Sequence, residues 1–426
     1  MEIPGAHLAA DLHFDDAAPV RLRMVAREPL SSPGAAVRGL FAALCAIFAG
    51  QLSLARTIEI DGPELPLSAM GWMEELRRYL YAVRSYRDGH AVPAYGCFTD
   101  RSVAPDPSHL DRADSRTALL LLSGGIDSAL SALLLDANGY QVVPVHVTGV
   151  NGDVAVSEAE ERAATRVAGG LGLPLTVFDI VSEPPLAELV AGWTTVPPAF
   201  PSVNTVPHGR ELLLLCAAAW WCQSTATAAS IAFGVENSGW SDTFQLNGHS
   251  YPRSDTQSER GLTALQRLSS YCQPGMLTLF SPVAGFTEYR KFADFSRWRP
   301  DLLDVCSFCF WGDRCGLCQK CSLYYVIDRS LGSLGPQHRT NPMELPSEYL
   351  VDALRRPLDP RYRERQVALI DIDSARLWQD GESSLRSLVR KVRPTLLHHR
   401  DAWRRDLLRA RYNVSLPAKF ALKPWG

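Results

Sequence analysis

Apolar positions between residues 116 and 235 fall into short unbroken runs that alternate with longer amphipathic stretches. Ala118 to Leu122 is a run of five apolar residues that stops at a glycine turn, as strands buried on both faces of a parallel sheet do. The segment after Ser123-Gly124-Gly125-Ile126-Asp127-Ser128 reads as a helix. Gln141 to Thr148 predicts a second strand, Glu158 to Leu171 a helix, and Leu175 to Ile180 a third strand. Within residues 211–235 a buried helix leads into another strand, Ser230 to Val235. Strand and helix in alternation predict an α/β chain, a doubly wound parallel sheet of Rossmann-like type, with ligands at the carboxyl ends of its strands.

Outside that block the pattern changes. Val20 to Val25 alternates like a strand, and Thr57 to Ile60 predicts another. Ser32-Pro33 is a helix start, with serine as cap and proline in the first turn. Trp72, Leu76, Leu80 and Val83 recur at helical spacing, a packing stripe that Asp88-Gly89 would end. Residues 1–100 therefore read as an N-terminal α+β accessory domain. Pro105, Pro107 and several Asp and Ser residues make 101–115 a linker. Residues 116–330 carry the α/β pattern, and 340–426 read as a helical C-terminal region with helices at Ser384 to Val392 and Leu396 to Ala410.

Composition narrows this further. With 46% hydrophobic and 21% charged residues the chain reads as a soluble globular protein. Gly39 to Ala49 is uncharged but shorter than the about 20 residues a bilayer span needs. Leu212 to Val235 is long enough, yet Gln223, Ser224, Thr225, Thr227 and Ser230 interrupt it. No secretory leader is recognisable, so the expected location is cytoplasmic with no membrane contact. The 43 basic residues are mostly arginine, and 17 of them fall from Leu350 onward against 9 acidic ones. That basic region could meet nucleic acid or an acidic partner, although a solvated helical surface is the simpler explanation.

The glycine turn carries the first chemistry. Gly124 and Gly125 allow a sharp bend and leave room for a phosphate. Ser123 and Ser128 offer hydroxyls, and the free N–H groups of the following helix would face an anion. Asp127 could hold Mg²⁺ that in turn holds phosphate. No Gly-Lys-Ser/Thr follows, so this is not a Walker loop.

Cysteines carry the second. Five of the ten lie within sixteen residues: Cys306, Cys309, Cys315, Cys318 and Cys321. Clustering of this kind points to a metal rather than to disulfides. Cys315, Cys318 and Cys321 sit on one tight turn eased by Gly316, and either Cys306 or Cys309 could complete a tetrahedron. Four thiolates suit a structural Zn²⁺; an iron–sulfur cluster would use the same ligands. Cys45, Cys97, Cys216, Cys222 and Cys272 stand among apolar neighbours and read as buried small hydrophobes.

The loop Ser123-Gly124-Gly125-Ile126-Asp127-Ser128 resembles the pyrophosphatase loop of enzymes that split ATP into AMP and pyrophosphate. With the spacing of Cys306, Cys315, Cys318 and Cys321, C-x8-C-x2-C-x2-C, the chain resembles the 7-cyano-7-deazaguanine synthase branch of that superfamily. Val206-Pro207-His208-Gly209-Arg210 is similar to that branch's Val-Pro-Gly-Arg-Asn, Ile231 to Val235 to its Ile-Gly-Val strand, Tyr251-Pro252 to its Tyr-Pro-Asp, and Ser281-Pro282 to its Thr-Pro-Leu. The likeness covers residues 116 to 327.

The resemblance implies an adenine-nucleotide α-hydrolase fold with a small zinc module at 306–321. It implies that Ser123, Gly124, Gly125, Asp127 and Ser128 bind ATP and pyrophosphate, with Mg²⁺. Asp127, Ser128, Arg210 and Lys291 are its catalytic candidates, and Cys306, Cys315, Cys318 and Cys321 its zinc ligands. His208, Asp242 and Asp255 are weaker candidates in loops near the expected mouth. The implied reaction activates the carboxylate of 7-carboxy-7-deazaguanine as an adenylate and then forms an amide or nitrile. Three departures stand out: Thr287-Glu288 replaces a Thr-Lys pair, so Arg290 or Lys291 must supply the cation; Gly149-Val150-Asn151 replaces Tyr-Gly-Gln; and Glu211 follows Arg210. Long relatives of the branch occur in anti-phage defence operons, which implies a protein partner, or a second copy of this chain, whose amine could take the acyl group. A housekeeping synthase, a tRNA thiolase with nucleic acid as partner, and an inactive nucleotide-binding scaffold are the alternatives.

Overall fold

A computed structural model describes residues 7–13, 19–35, 37–42, 44–45, 58–60, 65–66, 98–100, 103–104, 116–150, 154–185, 188, 210–227, 229–234, 243–246, 249–252, 276–309, 314–332 and 338–409. Seven strands form the central sheet: β1 (His7–Leu12), β2 (Val20–Ala26), β3 (Thr117–Leu121), β4 (Gln141–Thr148), β5 (Thr176–Glu183), β6 (Ala229–Phe233) and β7 (Met276–Phe280). Their spatial order is β1-β2-β5-β4-β3-β6-β7. The five from β5 to β7 run parallel, and β1 and β2 add an antiparallel hairpin at one edge. Leu119 lies level with Val143 on one side and Ile231 on the other, which makes β3 the central strand.

Both faces of β3 are covered because its residues alternate in direction. Ala118, Leu120 and Leu122 join one continuous core with helices α1 (Ile126–Ala137) and α2 (Val154–Leu171). Helix α3 (Arg210–Thr225) brings Trp220 against Phe178 of β5, with ring centroids 5.7 Å apart. Chain order along the parallel strands reverses between β3 and β6. A ligand crevice is expected at such a reversal, beyond the carboxyl ends of the strands.

The N-terminal strands correct the expected domain boundary. Rather than belonging to a separate unit over 1–100, β2 pairs with β5 from Arg21↔Glu183 to Ala26↔Phe178. Arg27 fastens that edge through Glu161 and Asp179. The expected linker also contains strand, Val103–Ala104 pairing with Leu65–Pro66, and just before it Phe98–Asp100 pairs with Ile58–Ile60. Helical structure starts at residue 35, just past Ser32-Pro33, with the Arg38 amide donating to the Gly34 carbonyl. The Trp72–Val83 stripe and its Asp88-Gly89 stop lie outside the described residues.

Helices α4 (Glu288–Trp298), α5 (Gln319–Ser330), α6 (Glu348–Arg355), α7 (Arg363–Ser374) and α8 (Ser383–Leu408) follow. They share the core of α1 and β3, through residues such as Leu323, Leu354, Leu369 and Leu396. Where two C-terminal helices were expected, α8 is one helix of 26 residues with Pro394 inside it. Tertiary packing of Leu385, Val389, Leu396 and Leu407 carries the helix through the hydrogen bond that proline removes. Much of its basic charge is answered within the fold, Arg390 and Arg393 facing Asp373, and Arg400 and Arg404 facing Asp371. No helix among the described residues is long and apolar enough to cross a membrane.

Candidate active site and metal centre

The loop between β3 and α1 turns in the left-handed region at Gly124, where φ is +75°. A Cβ there would lie 2.4 Å from the Ala164 amide nitrogen of α2, so the loop is pressed onto that helix and only glycine fits. Ser128 donates to the Gly125 carbonyl at 3.0 Å, and the Ser123 and Ser128 hydroxyls stand 3.4 Å apart. No side chain caps α1, which leaves the amides of its first turn for an anion. From the adjacent strand end, Gly234 approaches so closely that a Cβ would stand 2.7 Å from the Ser128 nitrogen. We expect Gly124→Ala to cost about 3 kcal/mol, from positive-φ strain and overlap with α2, read as a lower urea midpoint.

Beside the loop is a buried charge network. Lys291, in the second turn of α4, is fully buried and pairs with Asp127 Oδ1 and, at 2.9 Å, with Glu288 Oε2. The Tyr324 hydroxyl donates to the same Glu288 oxygen at 2.6 Å. Phe292 stacks on the Tyr324 ring at 5.4 Å and Phe308 meets it edge-on at 5.1 Å, fixing the hydroxyl in place. Arg290 points elsewhere, to Asp294 and the Leu408 carbonyl. Of the two cations offered for the position vacated at Glu288, Lys291 is the one at the loop. Glu288 is its partner.

The cysteine turn sits next to this network. The sulfurs of Cys309, Cys315, Cys318 and Cys321 lie within 4.8 Å of one another. A tetrahedral Zn–S distance of about 2.3 Å would set them about 3.8 Å apart, so the four fit one ion after slight contraction. Backbone amides already serve three of the sulfurs: Cys315 N to Cys309 at 3.3 Å, Cys318 N to Cys315 at 3.3 Å, and Cys321 N to Cys318 at 3.4 Å. Hydrogen bonding to Cys309 raises the Cys318 thiol to about 12 and pushes Cys321 up as well. Crowded thiols of this kind ionise readily only when a cation shares them.

The expectation that Cys306 is the fourth ligand is corrected: the sulfur that joins the group is that of Cys309. Cys306 ends the turn after the short helix Pro300–Leu303, its amide held by the Leu302 carbonyl. Its thiol lies toward Asp127, Arg166 and Arg314, and burial keeps it protonated. The next residue ties this segment to the loop, Ser307 N donating to the Gly124 carbonyl at 2.8 Å.

Residues 116–185 match the family model described as tRNA methyl transferase HUP domain. Over those residues the chain is similar to a HUP domain. Over 64 residues, 15% of the chain, it is 36% identical to the tRNA-specific 2-thiouridylase MnmA of two strains of Acidithiobacillus ferrooxidans. That stretch spans 18% of the thiouridylase's length. The family match takes in the loop-bearing strands β3, β4 and β5 with helices α1 and α2.

The loop brings Ser123, Gly124, Gly125, Asp127 and Ser128 together, with Lys291 joining from α4. Arg210 opens α3, but its side chain is outside the described residues, as are His208, Asp242 and Asp255. Tyr251-Pro252 ends a short hairpin with Thr243–Leu246. Four contributors escaped sequence reasoning. Gly234 had a readable signal, a glycine directly after a buried strand. Glu288 and Tyr324 had none, because their roles arise from α4 packing on α5. His146, on β4, donates its Nδ1–H to the Leu122 carbonyl at 2.8 Å and so steadies the start of the loop, with burial lowering its pKa. Cys45, Cys216 and Cys222 are buried as expected, and Cys97 and Cys272 lie outside the described residues.

Proposed function

We propose that this chain uses ATP to activate a carboxylate as an acyl-adenylate, the carboxylate being that of a 7-deazaguanine base. The carboxylate oxygen attacks the α-phosphorus, the α–β phosphoanhydride bond breaks, and pyrophosphate leaves. An amine then attacks the acyl carbon and AMP departs. Ammonia would give the amide on the way to a nitrile; an amine on a partner protein would give a modified partner, as in anti-phage defence.

The observation that carries this reading is the loop joined to a buried lysine beside four cysteines that a single metal would occupy. Loop amides and the Ser123 and Ser128 hydroxyls would take the departing pyrophosphate, and Lys291 would neutralise charge building on it. Asp127, a hard oxygen donor at the loop, would hold Mg²⁺, which shields the phosphates from the incoming carboxylate. Zn²⁺ in the four-cysteine site would be structural, since four thiolates leave no open position.

Mass spectrometry of reactions with ATP, Mg²⁺ and 7-carboxy-7-deazaguanine tests the reading. AMP and pyrophosphate should appear only with the deazaguanine. Free nitrile with ammonia would mark a biosynthetic synthase, while a trapped adenylate or protein adduct would mark a ligase awaiting its partner. The thiouridylase likeness, with Cys306 left over beside the loop, favours tRNA thiolation as the second reading. ATP cleavage that needs tRNA, with salt-sensitive binding, would select it. No ATP cleavage under any condition would leave the inactive scaffold.

A further inference from the structure

The C-terminal helices deliver a carboxyl to the Lys291 network. Glu364, in the first turn of α7, faces the start of α4, where the Glu288 amide donates to its carboxylate. Its Oε2 is enclosed and has no hydrogen-bond partner among the described residues. The charged groups around it are Glu288 and Lys291 of α4 and Arg365 of its own helix. Arg365 is itself buried, donates to the Gln319 carbonyl at 3.3 Å, and is neighboured by Tyr362 and by Tyr349 of α6. From α5, Tyr324 reaches Glu288. Glu288 pairs with the ammonium that also meets Asp127 of the loop, and Glu364 lies close enough to feel both the Glu288 and the Lys291 charge.

We propose that Glu364 is a positioning residue that acts on Lys291 through Glu288, and that it takes up a proton when phosphate charge enters the loop. An unpartnered oxygen in an enclosed site is a poor place for a full negative charge, and a second carboxylate beside it makes it poorer. Burial first, then Glu288, raise Glu364 to about 7, against the opposing pull of Lys291, Arg365 and the Glu288 amide. Near neutral pH it therefore stands between its two forms. A nucleotide adds negative charge and draws Lys291 toward the phosphates, which removes support from the ionised form. Protonating Glu364 from solvent leaves Glu288 and the nucleotide as the anions that Lys291 must satisfy.

This inference rests on the ATP reading above, and the test separates the two. Binding of the non-hydrolysable α,β-methylene analogue of ATP, with Mg²⁺, would be measured by calorimetry at pH 7 in buffers of differing ionisation enthalpy. Wild-type protein should take up a fraction of a proton per nucleotide bound, as a group whose proton affinity rises on binding does. The uptake should vanish at pH 5 and diminish in Glu364→Gln, while Glu364→Asp, which keeps a titratable carboxyl, should retain it. Binding without uptake by the wild type, or equal uptake by Glu364→Gln, would overturn the assignment. Absence of binding by the wild type would overturn the ATP reading and this inference with it.

Discussion

Replacing Lys291 with methionine should lower pyrophosphate release by about 10²- to 10³-fold, the usual loss when a charge-stabilising group is removed from a dry site. It should also destabilise the fold by about 3–5 kcal/mol, because truncating one member of a buried ion pair strands the other. The stranded group is Glu288, itself buried, whereas Asp127 is more open to water and less affected. The two losses can be separated. Adding Glu288→Gln to Lys291→Met removes the orphaned charge, and the amide still accepts the Tyr324 hydroxyl. Denaturant unfolding should then recover most of its midpoint, while pyrophosphate release stays at the level of the single variant. Recovery of activity along with stability would mean that Lys291 serves the fold alone.

The second large effect concerns the metal. Wild-type protein should carry about one zinc per chain, as a closed four-thiolate site does. Cys309→Ser should lose it, whereas Cys306→Ser should keep it. Zinc content by elemental analysis, with release to a chelator as the kinetic readout, decides between the two cysteines. The sequence permitted both, since a ligand nine or six residues before Cys315 can reach the same ion. In the structure the stretch from Cys306 to Cys309 leaves the glycine loop at Ser307 and runs to the cysteine turn, so the later cysteine arrives among the other three. Retention of zinc by Cys309→Ser and its loss in Cys306→Ser would reverse the assignment.

Read along the sequence, a glutamate at the place of a lysine looks like a lost cation. On helix α4 the residue three positions later points the same way, so Lys291 reaches the loop and Glu288 becomes its counter-charge. Buried strong partners of this kind are chosen by helix spacing and by what packs behind them.

Local chemistry in the chain was enough to determine several things. The apolar run before Gly124 specified β3, because a short run with no polar break can be satisfied only inside a sheet covered on both faces. The two glycines and two serines specified a tight turn with open helix amides, since positive φ and exposed helix amides are properties of a few consecutive residues. Three of the four clustered cysteines followed from spacing on a single turn. Tertiary structure decided the rest, because it depends on contacts between residues far apart along the chain. The N-terminal strands joined the sheet only because β5 offered an open edge. Helix α8 ran through Pro394 only because the core behind it was apolar on both sides of the proline. Cys309 displaced Cys306, and Lys291, Glu288, Tyr324 and Glu364 came together, because helices α4, α5 and α7 converge beside one loop. No pattern within any one helix encodes that convergence.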